Sequence, residues 1–465
     1  MRRVVVLLVV LGLLSACQSG TGNNTTVPTT GPTSSPTSTT GSTTGESTPT
    51  TVAADDALME RLGWLTGVFD AGTMSEAEYQ ANFTSDFIDN VSYQDFLSVV
   101  QQVSSPGAEW SVIDVESRQG DNATVLLGPS TDGERIRAQI SIEPTVPHRI
   151  QGLLIQPAQP PTLDNPPKDY QSAADRLAEM GNLELLVADV TDGSCQAVFS
   201  SGPDDPAPVG SAIKLYVLGA VADAVEAGAI TWEQKVAISD SLKSIPTGVM
   251  QNEDAGTEFS VREMAEAMIA LSDNTATDHL IHLVGRDAVE QALSDWGMAQ
   301  PSLDIPFMDT MDLTALKVGP ASGLATQWVG ADESARRDIL AQISDITPAD
   351  IPLSEFDHPI RPDEIEWFAS PGDMCRVLVG LYDRGDPLTK ILTINPGIPD
   401  DEGNFSVVAF KGGSEPGLVA MNWLVERKDG RRFVVAGSLV NPGESFDQLQ
   451  ATLLFGAVRD LVSGE

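Results

Sequence analysis

Basic residues are scarce: 27 Lys and Arg stand against 66 Asp and Glu, for a formal charge of −39. A surface this acidic repels phosphate backbones and anionic headgroups, which argues against nucleic acid or a charged lipid surface as partners. A solvated acidic surface suited to solubility is what remains. Histidine is also rare, with four in 465 residues. His279 and His282 can share a helix face, but no His-Glu-x-x-His and no third ligand stands nearby. No metal is expected, and both are read as solvated or capping side chains. No cofactor motif is found either, since Gly412-Gly413 follows a lysine and lacks the Gly-Lys-Ser/Thr of a phosphate loop. The apolar run Val4–Leu14 is too short to span a bilayer as a helix. Three cysteines occur, Cys17, Cys195 and Cys375. The last two lie far apart in sequence, which does not decide whether they meet in space.

The chain is long enough for two or three domains, each with its own core. Met1-Arg2-Arg3, the apolar run and Leu14-Ser15-Ala16-Cys17 together read as a secretory signal. The Leu-Ser-Ala-Cys ending resembles the lipobox of bacterial lipoproteins. That resemblance implies a signal peptide over 1–17, lipidation of Cys17, and an exported protein anchored to the outer face of the bacterial cytoplasmic membrane. Residues 18–52 are almost wholly Thr, Ser, Gly, Pro and Asn, too polar to bury a core, so a disordered tether is expected.

Over 53–158 the pattern becomes that of a small α+β accessory domain. Leu58, Leu62, Leu65 and Val68 recur at helical spacing, and further helices are predicted near Ser75–Phe83 and Tyr93–Val103. Four strand-like runs follow: Trp110–Val115, Ala123–Leu127, Ile136–Ile142 and Ile150–Ile155. Helices laid on one face of an antiparallel meander resemble, by order of elements, the cone-shaped folds of the cystatin and nuclear-transport-factor type. No acid with a tyrosine partner stands out, so isomerase chemistry is not inferred, and an accessory or spacer role is expected.

A Pro-rich linker over 159–168 leads to the main domain, 169–465. A helix is predicted over Tyr170–Met180, then strands Leu183–Val190 and Gln196–Phe199. The stretch from Gly210 to Gly228 reads as a helix opened by Ser211 and apolar on nearly every side, so it should be buried. Its one basic residue, Lys214, stands three positions after Ser211. Burial lowers a lysine pKa and turns the amine into a proton acceptor for a neighbouring hydroxyl, while the amides at a helix start face charge developing on an attacked carbonyl. Ser260 and Glu263 form a capping box for a helix ending near Leu271. Ser272-Asp273-Asn274 follows between two apolar helices, turned inward on the strength of Leu271 and Ala276. Near the end, the strand Val407–Phe410 leads into Lys411-Gly412-Gly413-Ser414, where adjacent glycines allow a substrate to approach the backbone. Strands Leu418–Val425 and Phe433–Val440 and a helix Phe446–Val462 complete the pattern.

Ser211-x-x-Lys214, Ser272-Asp273-Asn274 and Lys411-Gly412-Gly413, in that order, resemble the motifs of serine β-lactamases and penicillin-binding proteins, class A-like enzymes in particular. The two-part layout further resembles the β-lactamase-like proteins of clavulanic acid clusters, which carry an N-terminal cone-like domain. The resemblance implies an α/β sandwich with an all-helical subdomain and an antiparallel sheet. It implies Ser211 as acylated nucleophile and Lys214 as general base. Ser272 would be the proton shuttle, Asn274 would hold the substrate amide and Lys411 would attract a substrate carboxylate. Gly412, Gly413 and Ser414 would line the substrate cleft, with the Ser211 and Ser414 amides as oxyanion hole, and Asp273 would be a buried structural partner. Two departures stand out. Gly412 replaces the usual Thr or Ser, leaving Ser414 as the substitute hydroxyl. The Glu-x-x-Leu-Asn loop that deacylates class A enzymes is missing, and Glu355, Glu364 and Glu366 are expected to be surface acids. The expected activity is therefore acyl-enzyme formation on β-lactams or esters with slow turnover. The alternatives are a D-alanyl-D-alanine peptidase acting on peptidoglycan and a binding lipoprotein that has lost hydrolysis.

Overall fold

The computed structural model describes residues 53–104, 109–129, 135–158, 163, 165–400 and 403–464. The signal segment 1–17, the tether 18–52 and part of the linker lie outside the described residues. The chain divides into two units, Met1–Pro161 and Thr162–Glu465.

In the first unit, helices Ala53–Ala71, Glu76–Asn82, Ser85–Asn90 and Tyr93–Val103 precede strands Trp110–Gln119, Asn122–Pro129, Ile136–Ile142 and Ile150–Pro157. The strands pair in sequence order as an antiparallel meander. Three helices were expected and four are present among the described residues. The extra one is a six-residue turn started by Thr84, whose side chain accepts from the Phe87 amide. Leu58, Leu62 and Leu65 are buried together with Phe83, Phe87, Phe96, Val125 and Ile140, so the unit carries its own core.

In the second unit, five antiparallel strands run in the order Phe405–Glu415, Leu418–Arg427, Arg432–Val440, Asn182–Asp189, Gln196–Ser201. Alternate side chains leave opposite faces, and both faces are covered. Trp423, Val425, Val435 and Val187 pack under helices Tyr170–Ala178 and Gln448–Leu461. Leu424, Val434, Ala436 and Ala188 pack with Lys214–Glu226 and Pro371–Asp383 on the other side. This helix–sheet–helix sandwich is joined by a helical part that includes Val261–Ala270, Asn274–Val284, Arg286–Asp295, Thr310–Lys317 and Glu333–Ile343.

The structure answers a question left open by sequence: Cys195 and Cys375 form a disulfide, tying the hairpin before Gln196 to the helix Pro371–Asp383. It also moves two boundaries. Lys411 through Ser414 lie inside the edge strand, paired with Asn422 through Val419, rather than after it. Ser211 sits in a 3-10 turn, Gly210–Ile213, and the α-helix starts only at Lys214.

Candidate active site

The turn that carries Ser211 is fixed from behind and from the side. Ala207–Pro208 pairs with Phe368–Ala369, and the Val209 amide donates to Trp367 O at 2.9 Å. Gly210 has φ 51°, a left-handed conformation, and a Cβ there would stand 3.4 Å from Gly413 Cα and Ser414 N. A Cβ on Gly413 would collide with Val209 O and lie 2.6 Å from Ser211 N. Two glycines thus let the turn and the edge strand meet backbone to backbone, which puts the Ser211 and Ser414 amides on one wall. The Ser211 side chain is half-buried and caps no helix. Ser414 is exposed on the edge strand.

Lys214 opens the long helix and is wholly buried. Its Nζ donates to Ser272 O at 2.6 Å, Asn274 Oδ1 at 2.6 Å and Ser272 Oγ at 3.2 Å. Burial lowers its pKa from 10.5 to about 7, and the nearby carboxylates Asp278 and Asp273 limit the fall. Lys411 comes from the edge strand and is also buried. Its Nζ donates to Ser272 Oγ at 3.0 Å and Gly412 O at 2.7 Å. Burial first, and then the neighbouring Lys214 charge, push its pKa well below the ordinary lysine value.

Ser272, Asp273 and Asn274 sit where two helices meet. Ser272 takes φ 56°, a conformation that L-residues rarely adopt and that clusters at functional sites. Asp273 is buried and caps the helix Asn274–Val284 by accepting from Ala276 N at 2.8 Å. Its other oxygen takes the amides of Val249 at 2.7 Å and Met250 at 2.9 Å, tying an adjoining loop to the triplet. Asn274 donates to Ile245 O at 2.7 Å. Contrary to expectation, Leu271 is exposed; the inward turn begins at Ser272, half-buried, and is complete at Asp273 and Asn274. Sequence reading also missed Thr247, whose Oγ1 lies 2.8 Å from Ser272 O and 3.0 Å from Asn274 Oδ1. Thr247 stands in a loop with no motif, so no signal in the sequence marks it.

Two further expectations are corrected. His279 is buried rather than solvated: its Nε2 accepts from Ser239 N at 2.8 Å, so its Nδ1–H donates to Thr275 O at 2.7 Å. Among the described residues no group of three or more His, Cys, Asp or Glu is arranged to hold a metal ion. Glu355 and Glu364 are exposed, but Glu366 is buried. Lys317 Nζ meets Glu366 Oε1 at 3.4 Å and forms an ion pair with Glu415. The other oxygen of Glu366 accepts the Trp367 amide at 2.9 Å, and the Gly210 amide also favours its charged form. Burial raises both carboxyls, Glu415 to about 8, and the Lys317 ammonium between them limits the rise without cancelling it. The cluster joins the segment before Trp367, the helix Thr310–Lys317 and the end of the edge strand directly behind the Ser211 turn.

A sandwich with an all-helical part, in which a buried lysine shares a serine hydroxyl with a second lysine beside a glycine-seated serine, has the fold of a β-lactamase-like serine hydrolase. Residues 171–436 match the Beta-lactamase enzyme family, and the chain belongs to that family. Among solved structures it is similar to a β-lactamase from Sphaerobacter thermophilus at 21% identity, covering 64% of this chain and 97% of that one with a TM-score of 0.46. It is similar to PBP-A at 18% identity, covering 64% and 97% with a TM-score of 0.43. A β-lactamase from Chitinophaga pinensis is 18% identical, with 63% and 98% covered and a TM-score of 0.42. No curated protein matches the chain.

Proposed function

We propose that this protein is an exported, lipid-anchored serine hydrolase that forms an acyl-enzyme with β-lactams or esters and releases it slowly. The observation that carries the reading is the buried network Lys214–Ser272–Lys411, with Lys214 brought to a pKa of about 7. Near neutral pH an amine in that state accepts a proton. Lys214 takes the Ser211 hydroxyl proton as Oγ bonds to the carbonyl carbon. The amides of Ser211 and Ser414 receive the oxyanion, and Asn274 orients the substrate amide. Collapse of the adduct breaks the bond from the carbonyl carbon to the leaving atom, nitrogen in a β-lactam or oxygen in an ester, and Ser272 passes its proton to that atom and is reprotonated by the Lys214 ammonium formed in the first step. The exposed Ser414, seated beside Gly412 and Gly413 with Lys411 behind them, binds the substrate carboxylate.

Slow release is inferred from Glu366. This buried acid is engaged by Lys317 and by the Trp367 amide, so it is not free to activate a water molecule. The same observation favours a second reading, a D-alanyl-D-alanine peptidase, for which the deacylating glutamate is not required. Anchoring rests on the Leu14-Ser15-Ala16-Cys17 ending, and Cys17→Ser should move the protein from the membrane fraction to the soluble one.

The test is stopped-flow hydrolysis of a chromogenic cephalosporin and a nitrophenyl ester, alongside D-alanine release from a pentapeptide. A burst equal to the enzyme concentration followed by a slow phase supports the first reading, and D-alanine release supports the second. A Ser211→Ala variant that matches the parent in every assay removes Ser211 from the reaction.

A further inference from the structure

The wall that offers the Ser211 and Ser414 amides is a seam of bare backbone. Gly210 and Gly413 meet there without side chains, so nothing in the contact itself locks the turn and the edge strand at one spacing. Each side instead carries a carboxylate handle close in sequence or space to its oxyanion amide. On the strand, Glu415 follows Ser414 and, by alternation, points into the interior while Ser414 faces solvent. On the turn, the Gly210 amide stands one residue before Ser211 and stabilises the charged form of Glu366. Glu366 Oε2 accepts the Trp367 amide at 2.9 Å, and Trp367 O accepts the Val209 amide at 2.9 Å, so this acid belongs to the segment that backs the turn.

One cation holds both handles. Lys317 Nζ pairs with Glu415 and lies 3.4 Å from Glu366 Oε1, and all three side chains are buried. Lys317 is the last residue of the helix Thr310–Lys317. The start of that helix is tied to Asp278, which accepts the Thr310 amide at 2.8 Å and the Met311 amide at 3.1 Å. Asp278 lies one turn after Asn274 on the helix Asn274–Val284, so the clasp is braced on the helix that carries Asn274. Stability is a poor reason for such a cluster. A buried ion pair commonly gains nothing over apolar side chains of the same volume, and here one ammonium serves two acids. What directional charged bonds supply is placement.

We infer that Lys317 is a positioning residue for acylation, holding the Ser211 turn through Glu366 and the edge strand through Glu415 so that the two oxyanion amides converge on one point. The inference rests on the acyl-enzyme reading above. Misplacing a reacting group by about 1 Å costs on the order of a hundredfold in rate, so release of either handle is felt in the acylation step.

The experiment compares the full chain with its Glu366→Gln, Glu415→Gln and Lys317→Met variants in reaction with benzylpenicillin. The two glutamine variants keep the side-chain volume and leave one cation with one carboxylate, so they should fold even if Lys317→Met does not, and thermal melting checks each. Saturation kinetics separate binding from the acylation step. Infrared spectra of the acyl-enzyme give the ester carbonyl stretch, which falls in frequency as the hydrogen bonds in the oxyanion hole strengthen. Each folded variant should lose about tenfold or more in the acylation step with little change in binding, and its carbonyl stretch should move to higher frequency. Folded variants that acylate at the parent rate with an unmoved stretch would overturn the inference while leaving acylation of Ser211 intact. So would a loss that lies wholly in binding. A parent that forms no adduct would remove the acyl-enzyme reading and this inference with it.

Discussion

Lys411 Nζ stands 3.0 Å from Ser272 Oγ, and Lys214 Nζ reaches the same oxygen at 3.2 Å. Two buried amines on one hydroxyl cannot both hold full charge without mutual repulsion, and burial alone already disfavours charge on each. With Lys214 at about 7, its neutral fraction grows as pH rises. Neutral amine is the proton acceptor, so the rate of acylation of Ser211 should climb through pH 7 and level off above it. The second-order labelling rate with a penicillin, measured from pH 5.5 to 9, checks this. A flat profile, or one that falls over that range, contradicts Lys214 as the base.

Lys214→Arg separates charge from proton transfer. Arginine keeps the cation but does not deprotonate at any working pH. Acylation should fall by about a hundredfold or more, the scale of lost general-base catalysis. Stopped-flow labelling measures it, and a loss of less than about threefold would assign Lys214 a purely electrostatic role.

Gly413→Ala tests the backbone contact between the edge strand and the Ser211 turn. The added Cβ would collide with Val209 O and crowd Ser211 N, so the turn must shift. Acylation should slow and stability should fall by about 1–3 kcal/mol, as for overpacking. Gly323→Ala, where nothing lies within 4 Å of the new Cβ, is the control and should leave both unchanged. The readouts are urea denaturation and labelling rate.

Lys317→Met strands Glu366 and Glu415 in the interior without a cation. Breaking a buried pair in this way destabilises by about 3–5 kcal/mol. Adding Glu366→Gln and Glu415→Gln replaces two carboxyls that burial already pushes toward the neutral form with amides that carry no charge, and should restore most of that loss in urea denaturation. Failure of the triple variant to recover would mean that shape, and not charge, is what the cluster supplies.

The sheet and the main helices were legible because apolar period and turn residues agree with burial over long runs, as in Leu418–Arg427 and Lys214–Glu226. The Ser-Lys, Ser-Asp-Asn and Lys-Gly-Gly signals were legible because each is compact in sequence, and the fold brings Lys214, Ser272, Asn274 and Lys411 into one hydrogen-bonded network. Thr247 and the Lys317–Glu366–Glu415 cluster were not. Their partners are set by tertiary contacts across 25, 49 and 98 positions, and a lone Thr or Glu carries no local mark of its burial. The 3-10 start of the Ser211 turn was missed for a related reason. The turn packs backbone to backbone against Gly413, a tertiary contact that local propensity from Ser211 onward does not register.

The most direct measurement is the intact mass of the full chain after incubation with benzylpenicillin, with peptide mapping of any adduct. The account predicts one penicilloyl group, located on Ser211 and lost in Ser211→Ala. An unmodified protein after prolonged incubation, or an adduct mapped to any other residue, would contradict it.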